Sequence, residues 1–327
     1  MATRVLVTGA GGFIGSHLVE ALVREGCDVR AFVRYNSGGR TGNLELIAPE
    51  VRSAVEVYFG DLRDAEAVRR SVAGVEAVFH LGAVISVPYS YQHPEETTVV
   101  NVGGALNVLT AARDLDVARV VVTSTSEVYG TAQYTPIDER HPVNPQSPYA
   151  ASKAGADNLA MSFYRTYGLP VAIVRPFNTY GPRQSERAVI PTIIGQALTR
   201  DVVELGALHP RRDLTYVADT AAGFLCAWRA GEDALGAPIN LGTGVSVSIG
   251  ELARRIIDLV GRDVPLRSTD ARKRPEGSEV LELRADASRA RARIGWAPAV
   301  SLEEGLRRTI EWARGHLDRF QPDQYRI

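Results

Sequence analysis

The chain has 327 residues, of which 45% are apolar, and its formal net charge is −1 at pH 7. This length favours about two domains, and a near-neutral chain without long blocks of like charge argues against nucleic-acid or membrane-surface partners, so we expect small-molecule partners. Two cysteines, Cys27 and Cys226, fit neither a disulfide framework nor a metal site. No apolar run approaches a membrane span and no signal peptide is evident, so we expect a cytoplasmic protein.

Short β-branched runs alternate with helix-like segments through the first 176 residues. The runs are RVLVTG (4–9), DVRAFV (28–33), VEVYFG (55–60), EAVFHLG (76–82), ARVVVTS (118–124) and PVAIVRP (170–176). Such alternation is typical of βαβ units in a parallel sheet. We therefore predict an α/β fold built on a Rossmann-type doubly wound parallel sheet.

After Pro176 the sequence changes to loops and scattered helical segments, with one strand-like run, APINLG, at 237–242. These segments predict a smaller α/β substrate-binding domain that interleaves with the first. We assign residues 1–176 and about 215–240 to the dinucleotide-binding domain. Residues of about 177–214 and 241–327 are assigned to the second domain.

The first strand runs directly into a glycine-rich turn, GAGGFIG (9–15), and then into a helix. Glycines there allow a tight turn and close approach of backbone amides to a pyrophosphate at the helix N-terminus. The placement between the first strand and helix of a βαβ unit makes this motif specific. It predicts that Gly9, Gly12, Phe13, Ile14 and Gly15 bind a dinucleotide.

The second strand ends in AFVRYNS, without the carboxylate that usually contacts the adenosine ribose of NAD. Arg34 could instead pair with a 2′-phosphate, which favours NADP+ slightly, although stacking of Arg34 on the adenine of NAD+ remains open. Asp61 is expected at the adenine edge or at the start of a helix near Asp64. His80, inside an apolar run, is expected to be a packed structural histidine. The further cofactor contacts we expect are Asn36, Leu62, Leu81 and Ala83.

Tyr149 and Lys153 lie four residues apart in a helix-like segment, and only Lys153 and Lys273 among the 37 basic residues are lysines. Positions i and i+4 share a helix face, so both can face a cofactor. A phenol needs about 4 kcal/mol of anion stabilisation for a pKa drop of ~3 units. A neighbouring ammonium and a cationic nicotinamide can supply it, which would make Tyr149 the base during hydride transfer.

The fifth strand ends in TSTSEVYG (123–130), where strand ends of a parallel sheet form the ligand crevice. Thr125 is placed to hydrogen-bond the reacting hydroxyl together with Tyr149. Glu127 is informative because plain alcohol oxidation needs no further carboxylate.

These motifs together with RPFNTYGPRQ and RRDLTYVAD resemble the extended short-chain dehydrogenase/reductase family acting on nucleotide sugars, over essentially the whole chain. Within it, SVPYSYQHP, QSPYAASKAGAD, AVIPTII and RADASRARARIGWAPAVSLEEGLRRTIEW resemble nucleotide-N-acetylglucosamine 4,6-dehydratases of the legionaminic-acid type. The resemblance implies a tightly bound, recycled NAD(P)+. It further implies C4 oxidation with Tyr149 as base, removal of the C5 hydrogen by Glu127, loss of water from C6 and hydride return to C6.

Ser126 departs from glucose-type dehydratases, which carry an aspartate at this position to protonate the leaving hydroxyl. A serine is a poor acid, so Glu127 would serve as base and then acid. The Thr-Ser-Glu order also resembles GDP-mannose dehydratases and nucleotide-hexuronate decarboxylases. A decarboxylase or a 4-epimerase therefore remains the alternative, and a non-catalytic dinucleotide sensor is a distant third.

The resemblance also implies a set of contacts to a nucleotide-diphosphate sugar and a partner. The substrate residues it implies are Ser86, Asn178, Val189, Arg212, Asn240 and Arg274. By the same analogy, helices 94–114 and 149–167 would form a four-helix homodimer interface. The nucleotide (UDP, GDP or dTDP) and the C2 substituent of the sugar stay open.

Overall fold

The computed structural model describes residues 2–270, 277 and 279–320. At its centre is a 7-stranded sheet. Its strands are β1 (Arg4–Thr8), β2 (Asp28–Arg34), β3 (Val55–Gly60), β4 (Ala77–His80), β5 (Arg119–Thr123), β6 (Val171–Pro176) and β10 (Pro238–Leu241). They lie in the order β3-β2-β1-β4-β5-β6-β10, and all neighbouring strands are parallel. The predicted Rossmann-type doubly wound sheet is confirmed.

Helices cover both faces of this sheet because successive strand residues point to opposite sides. In β1, Val5 and Val7 pack in one core cluster and Leu6 in the other. One face is covered by α1 (Phe13–Arg24), α2 (Pro49–Ser53), α9 (Val217–Arg229) and α11 (Ser288–Ile294). The other is covered by α3 (Ala65–Val72), α6 (Gly104–Asp114) and α7 (Pro148–Tyr167).

The segment predicted as one helix over 94–114 is helical but interrupted. It consists of α5 (Pro94–Thr98), a π-helical turn (Val99–Gly103) and α6, and it follows the short α4 (Val87–Gln92). Asn101 in the π turn is 1% exposed, and its amide binds the backbone of Val84 and the hydroxyl of Ser152. The wider turn thus directs a polar side chain inward, where it fixes the segment after β4.

A second, smaller core lies beside the large sheet. Its strands are β7 (Asn178–Tyr180), β8 (Val203–Leu205), β9 (Arg211–Tyr216), β11 (Ser246–Ser248), β12 (Leu266–Ser268) and β13 (Glu282–Leu283). Its helices are α8 (Val189–Thr199), α10 (Ile249–Val260) and α12 (Leu302–Arg314). Ser248 and Glu251 form a reciprocal capping box at the start of α10. The domain boundaries stay a prediction, to which the structure adds that β10 is an edge strand of the large sheet.

Candidate active site

A cleft of about 1250 Å³ opens at the carboxyl ends of the large sheet's strands. It runs past the ends of β1 and β4, where the strand order reverses and doubly wound folds bind ligands. Single-ligand pockets are usually ~300–1,000 Å³. The volume therefore has room for a dinucleotide and a second ligand side by side.

The glycine-rich turn forms one wall of this cleft. Gly9 has φ +69°, and a Cβ there would lie 2.7 Å from the amide nitrogen of Gly82. A Cβ on Gly15 would overlap the carbonyl of Gly9. The turn therefore requires glycine at both positions, and it delivers Gly12, Phe13 and Ile14 to the cleft at the N-terminus of α1. Such a cradle of backbone amides fits a pyrophosphate.

Arg34 and Asn36 both line the cleft beyond β2, but only the side chain of Asn36 is held by hydrogen bonds within its own loop. The Arg34 guanidinium is 73% exposed, and its nearest acidic partner is Glu96, at 3.9 Å. The amide of Asn36 binds both the backbone nitrogen and the carbonyl of Arg40, at 2.9 and 2.7 Å. Arg34 is thus available to a ligand, whereas Asn36 fixes the loop after β2.

Asp61 lines the cleft after β3, but it does not cap the next helix. Its carboxylate forms a paired contact with Arg63, at 2.9 and 2.6 Å, and hydrogen bonds from Arg63 lower the pKa of Asp61. The N-cap of α3 is Asp64. Of the two roles expected for Asp61, the geometry favours the cleft.

Leu62, Leu81 and Ala83 supply apolar lining, and His80 lies behind them. His80 is 2% exposed and its Nδ1 lies 2.8 Å from the hydroxyl of Thr8. Burial lowers the pKa of His80 to about 3, with a further contribution from the charge of Lys153. His80 is therefore a neutral, packed histidine.

Tyr149 lies in the first turn of α7, lines the cleft and is 8% exposed. Burial raises its pKa to about 12, and the nearby charges of Glu127 and Asp157 act in the same direction. A hydrogen bond with Thr125 opposes the rise. The protein by itself thus keeps this phenol neutral, and the sequence-based expectation that Lys153 together with a cationic nicotinamide makes it acidic stays a prediction.

Lys153 follows one turn later and is 3% exposed. Burial lowers the pKa of its ammonium, and the charge of Asp157 raises it. Lys153 therefore does not point into solvent.

The strand-end cluster faces Tyr149 across the cleft. Thr125 has an extended backbone and caps a single 3₁₀ turn, Ser126–Tyr129, by accepting a hydrogen bond from the amide of Glu127 at 3.3 Å. Thr125, Ser126 and Glu127 all line the cleft; Ser126 is 3% exposed and Glu127 is half-buried. A phenol, a hydroxyl and a carboxylate thus converge on one space.

The expected substrate residues separate into two groups. Asn178, Val189 and Arg212 line the cleft, and the guanidinium of Arg212 contacts the carboxylate of Glu279 at 3.1 Å. Ser86 instead caps α4 through the amide of Tyr89. Arg274 lies outside the described residues.

Asn240 does not reach the ligand space. It is fully buried, its Oδ1 accepts from the hydroxyl of Tyr129 at 2.8 Å, and its Nδ2 donates to the carbonyl of Ile137 at 3.1 Å. With both ends of the amide occupied, Asn240 supports the turn that carries Glu127. We therefore correct its assignment from a substrate contact to a structural residue.

Four charged residues that were not identified from the sequence also line the cleft: Arg40, Arg63, Arg187 and Glu279. Among the described residues that line the cleft, the arginines are Arg34, Arg40, Arg63, Arg187 and Arg212, and the acids are Asp61, Glu127 and Glu279. Most of the missed residues lie in loops without regular patterning, although Arg187 follows the noted GPRQ segment. The excess of guanidinium groups suits anionic phosphates.

No metal centre emerges within residues 2–270, 277 and 279–320, since no three His, Cys, Asp or Glu side chains there are grouped to hold an ion. In the same part of the chain no helix combines the length and apolar character needed to span a bilayer.

A glycine cradle at the switch point of the sheet, facing a Tyr and Thr pair, defines a nicotinamide-dinucleotide-binding enzyme of the Rossmann type. The chain belongs to the extended short-chain dehydrogenase/reductase family, and residues 6–309 match the family model described as GDP-mannose 4,6 dehydratase. Membership of the nucleotide-sugar dehydratase, epimerase and decarboxylase superfamily follows.

Three similar proteins illustrate the range of that superfamily. The UDP-glucose 4-epimerase of Mycolicibacterium smegmatis is 37% identical over 95% of this chain and 98% of its own. The dTDP-glucose 4,6-dehydratase DesIV of Streptomyces venezuelae, solved with NAD and TYD bound, has a TM-score of 0.87 and 33% identity over 98% of this chain and 100% of its own. TunA, an NAD-dependent NDP-hexosamine 5,6-dehydratase of tunicamycin biosynthesis, has a TM-score of 0.84 and 32% identity over 97% and 100%. The cleft and these relatives support a nicotinamide cofactor.

Proposed function

We propose that this chain is a nucleotide-sugar 4,6-dehydratase that converts a nucleoside-diphosphate N-acetylglucosamine to its 4-keto-6-deoxy product. The proposal rests mainly on the position of Glu127. Its carboxylate lines the same cleft as Tyr149 and lies near enough to raise the pKa of that phenol. Oxidation at C4 alone does not require this carboxylate, whereas elimination across C5 and C6 requires a base that removes the C5 hydrogen.

The first half of the reaction uses Tyr149 and Thr125. When bound, the nicotinamide supplies the acceptor for hydride from C4 and returns that hydride at C6. Tyr149 takes the proton of the 4-hydroxyl, and Thr125, which already hydrogen-bonds the phenol, orients both oxygens. Because the protein alone holds the pKa of Tyr149 at about 12, the ionised phenol requires an added positive charge in the cleft.

The second half uses Glu127 twice. The new C4 ketone acidifies the hydrogen on C5, which Glu127 removes as a proton. The carboxylic acid formed then gives this proton to the C6 hydroxyl, which leaves as water, since the hydroxyl of Ser126 is too weak an acid to do so. When hydride returns to C6, C5 takes up the proton that Tyr149 received from the 4-hydroxyl, so the protein ends the cycle unchanged.

The proposed acetamido sugar and the proposed preference for NADP+ rest on separate observations. An acetamido sugar is supported by the sequence resemblance and by the likeness to a hexosamine dehydratase. A preference for NADP+ is supported by the exposed Arg34 in the cleft and by the lack of an acid at the end of β2. The contact of Arg34 with Glu96 and the NAD-bound relative both weigh against a strong preference for NADP+.

A 4-epimerase is the second candidate, favoured by the relative of that name. Epimerisation would use the same Tyr149 and Thr125 but would give Glu127 no role in the reaction. A hexuronate decarboxylase shares the strand-end pattern and would release carbon dioxide from the oxidised sugar.

We also propose a homodimer through α5 to α7. Val99 in the π-helical turn and Leu106 on α6 are 47% and 42% exposed, and Ala151 on α7 is also exposed. Apolar and small side chains on adjacent helices suit a four-helix contact.

The substitution Glu127→Gln tests the proposed dehydratase. The variant should still reduce the bound cofactor on mixing with substrate, seen as nicotinamide absorbance, while elimination slows by about 10²–10⁴-fold. Glu303→Gln, the same change on an exposed residue of α12, should match the unaltered enzyme. Normal dehydration by Glu127→Gln would overturn the assignment of the C5 base.

A further inference from the structure

Asp157 lies one turn of α7 beyond Lys153 and is 4% exposed. Its Oδ2 accepts three hydrogen bonds, from the hydroxyl of Ser124 at 2.6 Å and from Nε and Nη2 of Arg175 at 3.1 and 2.9 Å. Its Oδ1 is buried without a hydrogen-bond partner. Burying a carboxylate with one unpaired oxygen costs free energy of folding, so we expect its charge to have a function.

The partners of Asp157 tie it to the catalytic cluster. Ser124 directly precedes Thr125 at the end of β5. Arg175 on β6 donates to the hydroxyl of Tyr129 at 3.0 Å and lies over its ring, and Tyr129 ends the 3₁₀ turn that carries Glu127. The network therefore joins α7, which holds Tyr149 and Lys153, to the turn that faces it.

Lys153 is the group on which this charge acts. The ammonium is almost fully buried, which disfavours its charged form, and the carboxylate of Asp157 acts in the opposite direction. From β4, His80 faces it in neutral form. From β6, Arg175 partly offsets Asp157, and Glu127 lies toward Tyr149.

Charged groups on the other helices packed against α7 are engaged elsewhere. Glu96 on α5 accepts from Tyr89 at 2.6 Å, and Arg113 on α6 pairs with Asp114 at 2.7 Å. Asp157 is thus the anion built into the environment of Lys153.

We propose that Asp157 is a positioning residue whose charge, held in place by Arg175 and Ser124, keeps the buried Lys153 protonated beside Tyr149. The catalytic consequence rests on the proposed function, but the charge state of Lys153 can be measured without any substrate. Asp157 touches neither the sugar nor the cofactor in this role. It acts through Lys153 and Tyr149.

The test uses the scarcity of lysine in this chain. Protein labelled with [¹³Cε]lysine gives only two lysine signals, from Lys153 and Lys273, and Lys153→Met assigns them. In Asp157→Asn, which keeps the size and the hydrogen-bond acceptor, the midpoint of Lys153 should fall by about one pH unit or more. Because loss of the anion also lowers the pKa of Tyr149, both limbs of the kcat profile should move to lower pH, with KM for the sugar nucleotide nearly unchanged.

Two further variants keep the inference open to refutation. Asp219→Asn is the matched control: its carboxylate is also buried and accepts from the amide of Val300, and the Lys153 midpoint should not move. If Asp157→Asn does not fold, the smaller neutral variant Asp157→Ser should lower the Lys153 midpoint in the same direction. An unchanged Lys153 midpoint in Asp157→Asn, or in Asp157→Ser where Asp157→Asn does not fold, would overturn the proposal, whatever reaction the enzyme catalyses.

Discussion

Binding of an oxidised nicotinamide dinucleotide should lower the pKa of Tyr149 by about three units. The protein alone holds that pKa at about 12, so ionisation at pH 7 lies about 7 kcal/mol uphill at ~1.36 kcal/mol per unit. A positively charged ring would contribute about 4 kcal/mol if it lay ~4 Å from the phenol oxygen, at an effective dielectric constant of ~20. This corresponds to a pKa near ~9 with the oxidised cofactor, since the value of about 12 already includes the hydrogen bond with Thr125.

The measurement is a pH titration of protein labelled with [¹³Cζ]tyrosine, in which Tyr149→Phe identifies one signal among the 12 tyrosines. The reduced dinucleotide is the control, because it makes similar contacts without the positive ring. Since the phenol is a base only above its pKa, the acid limb of the rate should follow the titration with oxidised cofactor. Equal pKa values with both cofactor forms, or a value below 10 in the protein alone, would refute the reasoning.

Three other changes have distinct expected results. Arg212→Leu should raise KM for the sugar nucleotide about 10-fold or more with little change in kcat, because a charge-assisted hydrogen bond contributes ~1.5–3 kcal/mol; steady-state kinetics check this, and an unchanged KM would count against a diphosphate contact. Arg34→Ala should weaken NADP+ about 10-fold relative to NAD+, as measured by calorimetry, and equal losses would remove Arg34 from 2′ recognition. Leu106→Glu should convert a dimer to a monomer in analytical ultracentrifugation, and a persistent dimer would move the interface elsewhere.

Local sequence patterns predicted the strands of the large sheet and the turn at Gly9 to Gly15. Each depends on neighbours in the chain: β-branched runs need only period and length, and the turn needs a positive φ at Gly9 that glycine adopts freely. The convergence of Tyr149 with the strand-end cluster followed from the rule that parallel strands end on one side.

The features that were missed or wrong depend on tertiary packing. The direction of the pKa shift at Tyr149 is set by burial, which no spacing between Tyr149 and Lys153 reveals. Asn240 is enclosed because β10 lies beside β6 and places it against Tyr129. Glu279 reaches the cleft from an irregular segment, where a charged residue normally indicates a solvated loop.

The most direct test of the whole account is the mass of the product. Purified protein with NAD+ or NADP+ should be incubated with UDP-, GDP- and dTDP-linked N-acetylglucosamine, glucose, mannose and glucuronate, and the sugar nucleotides should be analysed by mass spectrometry. We expect a product lighter by one water, formed without net consumption of cofactor, from an N-acetylglucosamine nucleotide. An isomer of unchanged mass as the only product, or loss of carbon dioxide from the glucuronate, would contradict it.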